Sequence, residues 1–301
     1  MLHQLFAVLT ALAMLTAPAE EAQTPAELSI DSQHTVRLLD GGEVKELPLD
    51  AYLASVLLQE MPASFAEEAH KAQAVAARTF TLRNIYEGSR HADADVCGDS
   101  GCCQCYLDEA EGRACYGDAY DEVLSQAREA VAATDGQVLT YEDELIVAAY
   151  FSSAAGATET AAAVWGGEVP YLQSVSSPEE IRAAEQRFTE VEIRAAFPET
   201  SLSANPAAWF GAAEKTEGGS VASMELGGIA YSGAEIRSRL GLRSANFSVA
   251  VTEDGIVFEV FGSGHGVGMS QYGADAMAAA GQSYAEILAH YYPGTVLQQL
   301  S

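Results

Sequence analysis

Glu60 ends a stretch, residues 49–60, in which Leu53, Val56 and Leu57 recur at helical spacing, and Pro62 stops that helix just beyond it. A carboxyl group at a helix C-terminus meets the negative end of the dipole, and enclosure by Met61, Pro62 and Phe65 adds desolvation. Both effects raise its pKa, from about 4.3 toward roughly 6, which suits a general acid working near neutral pH; on the residue pattern alone an ordinary exposed glutamate is the competing reading. A second constellation lies downstream, where all five cysteines (Cys97, Cys102, Cys103, Cys105 and Cys115) crowd into one short stretch. An odd number cannot all pair within the chain, and the adjacent Cys102 and Cys103 cannot bridge each other without strain. His91, Cys97, Cys102 and Cys103 offer one imidazole and three thiolates, the ligand set of a tetrahedral zinc site, at the spacing His-x5-Cys-x4-Cys-Cys. Four protein ligands leave no open position, so such a metal is structural. A set of disulfides is the competing reading, and Cys105 is either a substitute ligand or a partner for Cys115.

The elements that must position these groups follow from the pattern. Residues 35–39 read as a strand leading into the turn Asp40-Gly41-Gly42, and so as the start of a hairpin. Ser64 followed by Glu67 has the form of a capping box, and Phe65, Ala69, Ala72, Ala76 and Phe80 then mark one face of a helix running to about Tyr86. The alanines permit close approach of another element. Residues 91–116, rich in Gly, Asp and Cys, read as a loop organised by ligands or crosslinks, and residues 121–133 as a helix. Residues 138–141 and 146–151 read as a hairpin with Asp143 in its turn. Residues 178–220 are acidic, alanine-rich and irregular, with 189–197 the best short helix, and 249–251 and 256–260 are strands about Asp254-Gly255.

The composition narrows the partners. Forty-three acidic against fifteen basic residues give a net charge of −28, which argues against a nucleic acid ligand and leaves a neutral sugar polymer open. The apolar run 5–15 is too short for a membrane span and precedes Ala17-Pro18-Ala19, the form of a secretion signal over residues 1–22, although no Lys or Arg stands before it. The mature chain then has no membrane span, and its place is the periplasm, cell wall or extracellular space, either released or tethered by an uncleaved leader.

Several motifs in order resemble the SpoIID/LytB family of peptidoglycan proteins. They are Glu60-Met61-Pro62 with residues 71–79 (Lys71-Ala72-Gln73 through Arg78-Thr79), Tyr150-Phe151-Ser152-Ser153, Val164-Trp165-Gly166 with Pro170-Tyr171-Leu172, Gly264-His265-Gly266-Val267-Gly268-Met269-Ser270-Gln271-Tyr272-Gly273-Ala274, and His290-Tyr291-Tyr292-Pro293-Gly294-Thr295. The family pattern often has tryptophan where this chain has Ser263. The resemblance spans nearly the whole chain after the leader, here taken as residues 28–299. It implies an α+β catalytic domain, of one or two lobes, around a glycan-binding groove. It also implies a lytic transglycosylase that cuts the bond between N-acetylmuramic acid and N-acetylglucosamine with one glutamate, Glu60, and leaves 1,6-anhydro ends on strands stripped of stem peptides. Gln73, Arg78, Ser152, His265, Gln271 and Tyr272 are the expected substrate contacts. Some members carry a zinc loop of two His and two Cys at this spacing, in which Cys102 replaces one His. The alternative is a noncatalytic glycan-binding protein that stimulates a cell-wall amidase.

Overall fold

The computed structural model describes residues 29–300, so the expected leader at 1–22 lies outside the described residues. Strands β1 (Thr35–Asp40) and β2 (Glu43–Pro48) form the expected hairpin, turning through Gly41 and Gly42, whose φ of 57° and 87° favour glycine. Helix α1 (Leu49–Glu60) ends where expected, and α2 (Glu67–Glu87) follows. Ser64 does not cap α2. Ala66 is the N-cap, its N–H bonded to the Asp275 carboxylate at 2.8 Å, while the Phe65 N–H closes a turn on the Pro62 carbonyl. A long-range carboxylate and a local turn have replaced the capping box.

α2 is the shared wall of the larger lobe. Ala69, Ala72, Val75 and Ala76 face one core with Met61, Met269, Tyr291 and Tyr292, whereas Ala74, Ala77 and Leu82 face another with Tyr52, Leu53, Leu57 and Val96. Short side chains on both faces let elements pack closely from either side. Arg78 lies in this wall, fully buried and ion-paired with Asp31, a pair whose disruption costs about 3–5 kcal/mol because it strands a charge.

The segment 91–116 is more regular than its composition indicates. β3 (Val96–Cys97) pairs in parallel with β1, and α3 (Glu109–Tyr116) starts at a capping box of Asp108 and Glu111, so the last eight residues of the segment are a helix rather than loop. Helix α4 (Tyr120–Ala133) matches expectation. β4 (Gln137–Tyr141) and β5 (Glu144–Leu145) form the hairpin, with Glu142 and Asp143 left-handed in its turn. The strand expected over 146–151 is broken. The chain leaves the sheet at Ile146, and β6 (Tyr150–Phe151) pairs in parallel with residues 269–270 instead. Helix α5 (Ala161–Trp165) follows.

Residues 183–261 build a second lobe on a separate core containing Ile193, Phe197, Trp209, Ile236, Phe247 and Phe258. Its elements are β7 (Ala183–Phe188), α6 (Glu190–Ala196), β8 (Phe210–Lys215), β9 (Val221–Leu226), β10 (Ile229–Tyr231), α7 (Gly233–Leu240), β11 (Phe247–Thr252) and β12 (Gly255–Phe261). They form two three-stranded sheets, β10-β9-β8 and β11-β12-β7. The irregularity expected over 178–220 is therefore corrected: β7 is fixed by β12, far along the chain, β8 pairs with its neighbour β9 through an irregular register, and α6 matches the helix expected there. The chain returns through β13 (Met269–Ser270), α8 (Gln271–Ala279), α9 (Tyr284–Tyr291) and β14 (Val296–Gln299), which pairs with β4. The fold is α+β in two lobes. Among the described residues no helix is long and apolar enough to cross a membrane.

Candidate functional site

Glu60 is the last helical residue of α1. Met61 turns extended while its N–H still bonds the Leu57 carbonyl, which aims the glutamate away from the helix toward the loop after β3 and the start of α8. One carboxylate oxygen accepts the Cys105 backbone N–H at 2.9 Å, and the other accepts the Gln271 side-chain amide at 3.2 Å. Burial raises the Glu60 pKa, and the two hydrogen bonds pull against that rise by favouring the ionised form.

Tyr150 stands beside this carboxylate. Burial and the Glu60 charge hold its phenol protonated, and its hydroxyl donates to the Gln104 side-chain oxygen at 2.9 Å. The Gln104 amide nitrogen donates in turn to the Tyr52 hydroxyl at 3.2 Å and the Thr81 hydroxyl at 3.0 Å. Neither Gln104 nor Cys105 was among the residues selected from sequence as substrate contacts. Their only signal is position, since they directly follow two candidate ligands.

Those ligands converge. The donor atoms of His91, Cys97, Cys102 and Cys103 all lie within 4.8 Å of one another. The His91 Nε2 lies 3.5 Å from each of the Cys102 and Cys103 sulfurs, which are 3.9 Å apart. A tetrahedral zinc ion with bonds of about 2.3 Å to sulfur and about 2.0 Å to nitrogen sets such atoms about 3.5–3.8 Å apart, so the geometry fits the group. Cys97 is placed by the β1–β3 pairing, and Cys102 and Cys103 by N–H bonds to the Asp99 carbonyl at 3.0 and 2.8 Å. All five cysteines are free thiols, and Cys105 and Cys115 are not bridged.

The remaining sequence candidates divide. Tyr272 follows Gln271; its ring meets Phe65 edge-on at 4.8 Å, and its N–H bonds the Ser152 carbonyl at 3.0 Å, so Ser152 serves here through its backbone. His265 sits between Phe151 and Trp165, with ring centroids 5.7 and 5.6 Å away. Burial and the Arg237 charge push its imidazole down to about 4, and its Nδ1 accepts the Val267 N–H at 3.1 Å. It is a neutral ring at ordinary pH. Gln73 is fully buried, and neither of its amide atoms has a hydrogen-bond partner. Arg78 is a correction: its guanidinium is consumed by Asp31, the Thr134 hydroxyl and the Val131 and Gln137 carbonyls, which leaves no donor for a ligand.

The glycines of the 264–268 turn admit this packing. A Cβ at Gly268 would lie 2.0 Å from the Ala149 carbonyl oxygen, and φ there is +79°, so a side chain is excluded both by space and by conformation.

A family model described as stage II sporulation protein matches residues 40–141, the stretch holding Glu60, α2 and the His/Cys cluster. The chain is 38% identical to stage II sporulation protein D of Bacillus subtilis over 85% of its own length and 76% of that protein. It belongs to the SpoIID family. The corresponding protein of Bacillus amyloliquefaciens is 37% identical over the same shares of both chains. The Bacillus subtilis amidase enhancer is 29% identical over 81% of this chain but only 40% of its own length. The SpoIID family model ends at Tyr141, whereas the donor that completes the Glu60 site comes from Gln271.

Proposed function

We propose that this chain is an exported peptidoglycan lytic transglycosylase in which Glu60 acts first as acid and then as base. The observation that carries the reading is a buried carboxylate at the end of α1, held by a backbone N–H and a carboxamide, whose pKa burial raises. Hydrolysis by an ordinary glycosidase calls for a carboxylate pair. One carboxyl group suffices when the substrate supplies its own nucleophile. Glu60 gives its proton to the oxygen of the bond between muramoyl C1 and the N-acetylglucosamine that leaves, and that bond breaks. The muramoyl 6-hydroxyl then attacks C1 and surrenders its proton to the Glu60 carboxylate. A 1,6-anhydro ring forms, no water is consumed, and the acid is regenerated. The Cys105 N–H and the Gln271 amide stabilise the carboxylate in the interval between the two transfers.

The His91, Cys97, Cys102 and Cys103 cluster holds zinc in this reading. With four protein ligands the ion supplies structural order rather than a reactive site, and its service to the chemistry is to fix the loop that carries Cys105.

Incubating the protein and Glu60→Gln with intact and peptide-stripped peptidoglycan, with products read by mass spectrometry, tests the proposal. Anhydromuramoyl ends from the unaltered protein alone are expected, most abundantly from stripped strands. Absence of cleavage by folded protein favours the second reading, a glycan-binding stimulator of a cell-wall amidase, to which the similarity to the amidase enhancer lends weight.

A further inference from the structure

Glu179 is a buried acid that no step of the chemistry above uses. It lies just before β7, where the chain passes from the larger lobe into the second. Its Oε1 accepts the Ala154 N–H at 2.7 Å and the Ser270 hydroxyl at 2.5 Å, while Oε2 is buried with no hydrogen-bond partner among the described residues. Leaving one oxygen of a buried carboxyl group bare costs free energy, so its place in the fold needs a reason. Gly273 makes the room for it: a Cβ there would lie 2.9 Å from Glu179 Oε2 and would also strike the Tyr291 and Ser177 hydroxyls, which bond each other at 2.7 Å.

The reason is found in what Ser270 does. It is the N-cap of α8, and its Oγ accepts the Gly273 N–H at 3.1 Å. A serine hydroxyl has one proton, and giving it to Glu179 turns the lone pairs of Oγ toward the helix. Without that acceptor the hydroxyl is free to rotate, and the Ala154 N–H, 3.3 Å from the same Oγ, competes with the helix for it. Gln271 comes next, the first residue of α8, and its amide donates to Glu60 at 3.2 Å. Backbone bonds set the path of the chain here, through the pairing of β13 with β6 and the Tyr272 N–H on the Ser152 carbonyl. The Glu179 carboxyl adds the side-chain bond that fixes how the first turn of α8 is seated on that path.

We infer that Glu179 is a positioning residue for the Glu60 site: it holds the Ser270 cap, and the cap sets where the Gln271 amide meets the Glu60 carboxylate. The inference rests on the catalytic reading of Glu60 and deepens it, since it reaches the acid through two intermediaries and touches no substrate. The bare Oε2 adds a condition. Only one oxygen of Glu179 is engaged, so the role calls for an acceptor at Oε1 rather than for a carboxylate as such. A glutamine fits the same place, with its oxygen on Ala154 and Ser270 and its amide nitrogen toward the space that the Tyr291 and Ser177 hydroxyls share.

The test reads the Gln271 amide directly, by nuclear magnetic resonance of nitrogen-15-labelled side-chain amides, with the Gln271 signals identified by their loss in Gln271→Leu. Glu179→Met keeps the bulk without the acceptor and should move those signals to the shifts of an unbonded carboxamide, whereas Glu179→Gln should leave them in place. Ser270→Ala removes the cap hydroxyl with Glu179 intact and should release the amide as Glu179→Met does, which serves if the methionine variant does not fold. On peptide-stripped glycan, kcat for release of anhydromuramoyl ends should fall about tenfold in Glu179→Met with KM changed less than about twofold, and Glu179→Gln should recover to within about threefold, because a slight misplacement of a group at the reacting centre costs rate. Adding Glu179→Met to Gln271→Leu should cost less than about twofold more, since the amide it places is already gone. Unmoved Gln271 signals in folded Glu179→Met or in Ser270→Ala, or fully additive losses in the double variant, overturn the inference and leave the reading of Glu60 standing. Released Gln271 signals in a protein that makes no anhydromuramoyl ends from any strand uphold the placement and remove the transglycosylase reading.

Discussion

At the scale of single residues, the proton affinity of Glu60 is a contest between burial, which favours the acid, and two donors, which favour the carboxylate. Removing a donor tips the contest toward the acid. Gln271→Leu should therefore raise the Glu60 pKa further, and the high-pH limb of the activity profile, where the acid form is lost, should move upward. A pH–rate series on both proteins checks the sign; a downward move contradicts the assignment. His265, at about 4, is neutral on both sides of that limb and does not contribute to it. The helix end that carries Glu60 was legible because it is local and Pro62 follows it, whereas Glu60 itself was singled out by the Glu60-Met61-Pro62 resemblance. Tyr150 and Gln104 were not singled out, because their roles depend on a hydrogen-bond chain reaching Tyr52 and Thr81. Arg78 was misjudged for a related reason: nothing nearby in sequence shows that Asp31 waits beneath it.

At the scale of elements, the cluster loop and the site are one device. Cys102 and Cys103 offer ligands, Gln104 is pinned to α1 and α2 through Tyr52 and Thr81, and Cys105 reaches Glu60. Protein prepared without added metal should carry about one equivalent of zinc. Chelation should lower its melting temperature and speed amide exchange at Cys105 more than in α9, which exchange mass spectrometry resolves. Zinc content below about a tenth of an equivalent contradicts the metal assignment, since a structural site of this kind holds its ion tightly. Helix starts show where sequence reading stops being local. Ser64 with Glu67 and Ser232 with Glu235 share one spacing, yet only the second pair caps a helix. The first is displaced by Asp275, which lies 209 positions beyond the Ala66 N-cap it bonds. Conversely, the Asp108 and Glu111 box that opens α3 was hidden inside a stretch whose glycines and cysteines read as loop.

At the scale of the whole molecule, the second lobe is clasped to the first by a buried carboxylate. Glu159 belongs to the larger lobe but accepts the Thr216 hydroxyl at 2.8 Å and the Ser220 N–H at 3.0 Å. Gly218 leaves the room, since a Cβ there would lie 2.5 Å from the Glu159 carboxyl carbon. Glu159→Ala should free the turn at 216–220, visible as faster amide exchange there with little change in α1 or α2; exchange unaltered in that turn contradicts the clasp. The second lobe was the least legible part of the fold. Its strands are short and half-exposed, β7 pairs with a strand near residue 258, and the acidic, alanine-rich composition masks the alternation.

The hydrogen bond between Glu60 and Gln271 joins positions 211 residues apart. A ribosome therefore delivers the acid long before it delivers the amide that holds it. A chain cut short anywhere in between carries Glu60 on an otherwise plausible helix, with the larger lobe lacking α8, α9 and the strand that closes its sheet. The hydrogen-bonded setting of Glu60 is whole only once Gln271 has been made, so any shorter product carries the carboxylate without its amide partner.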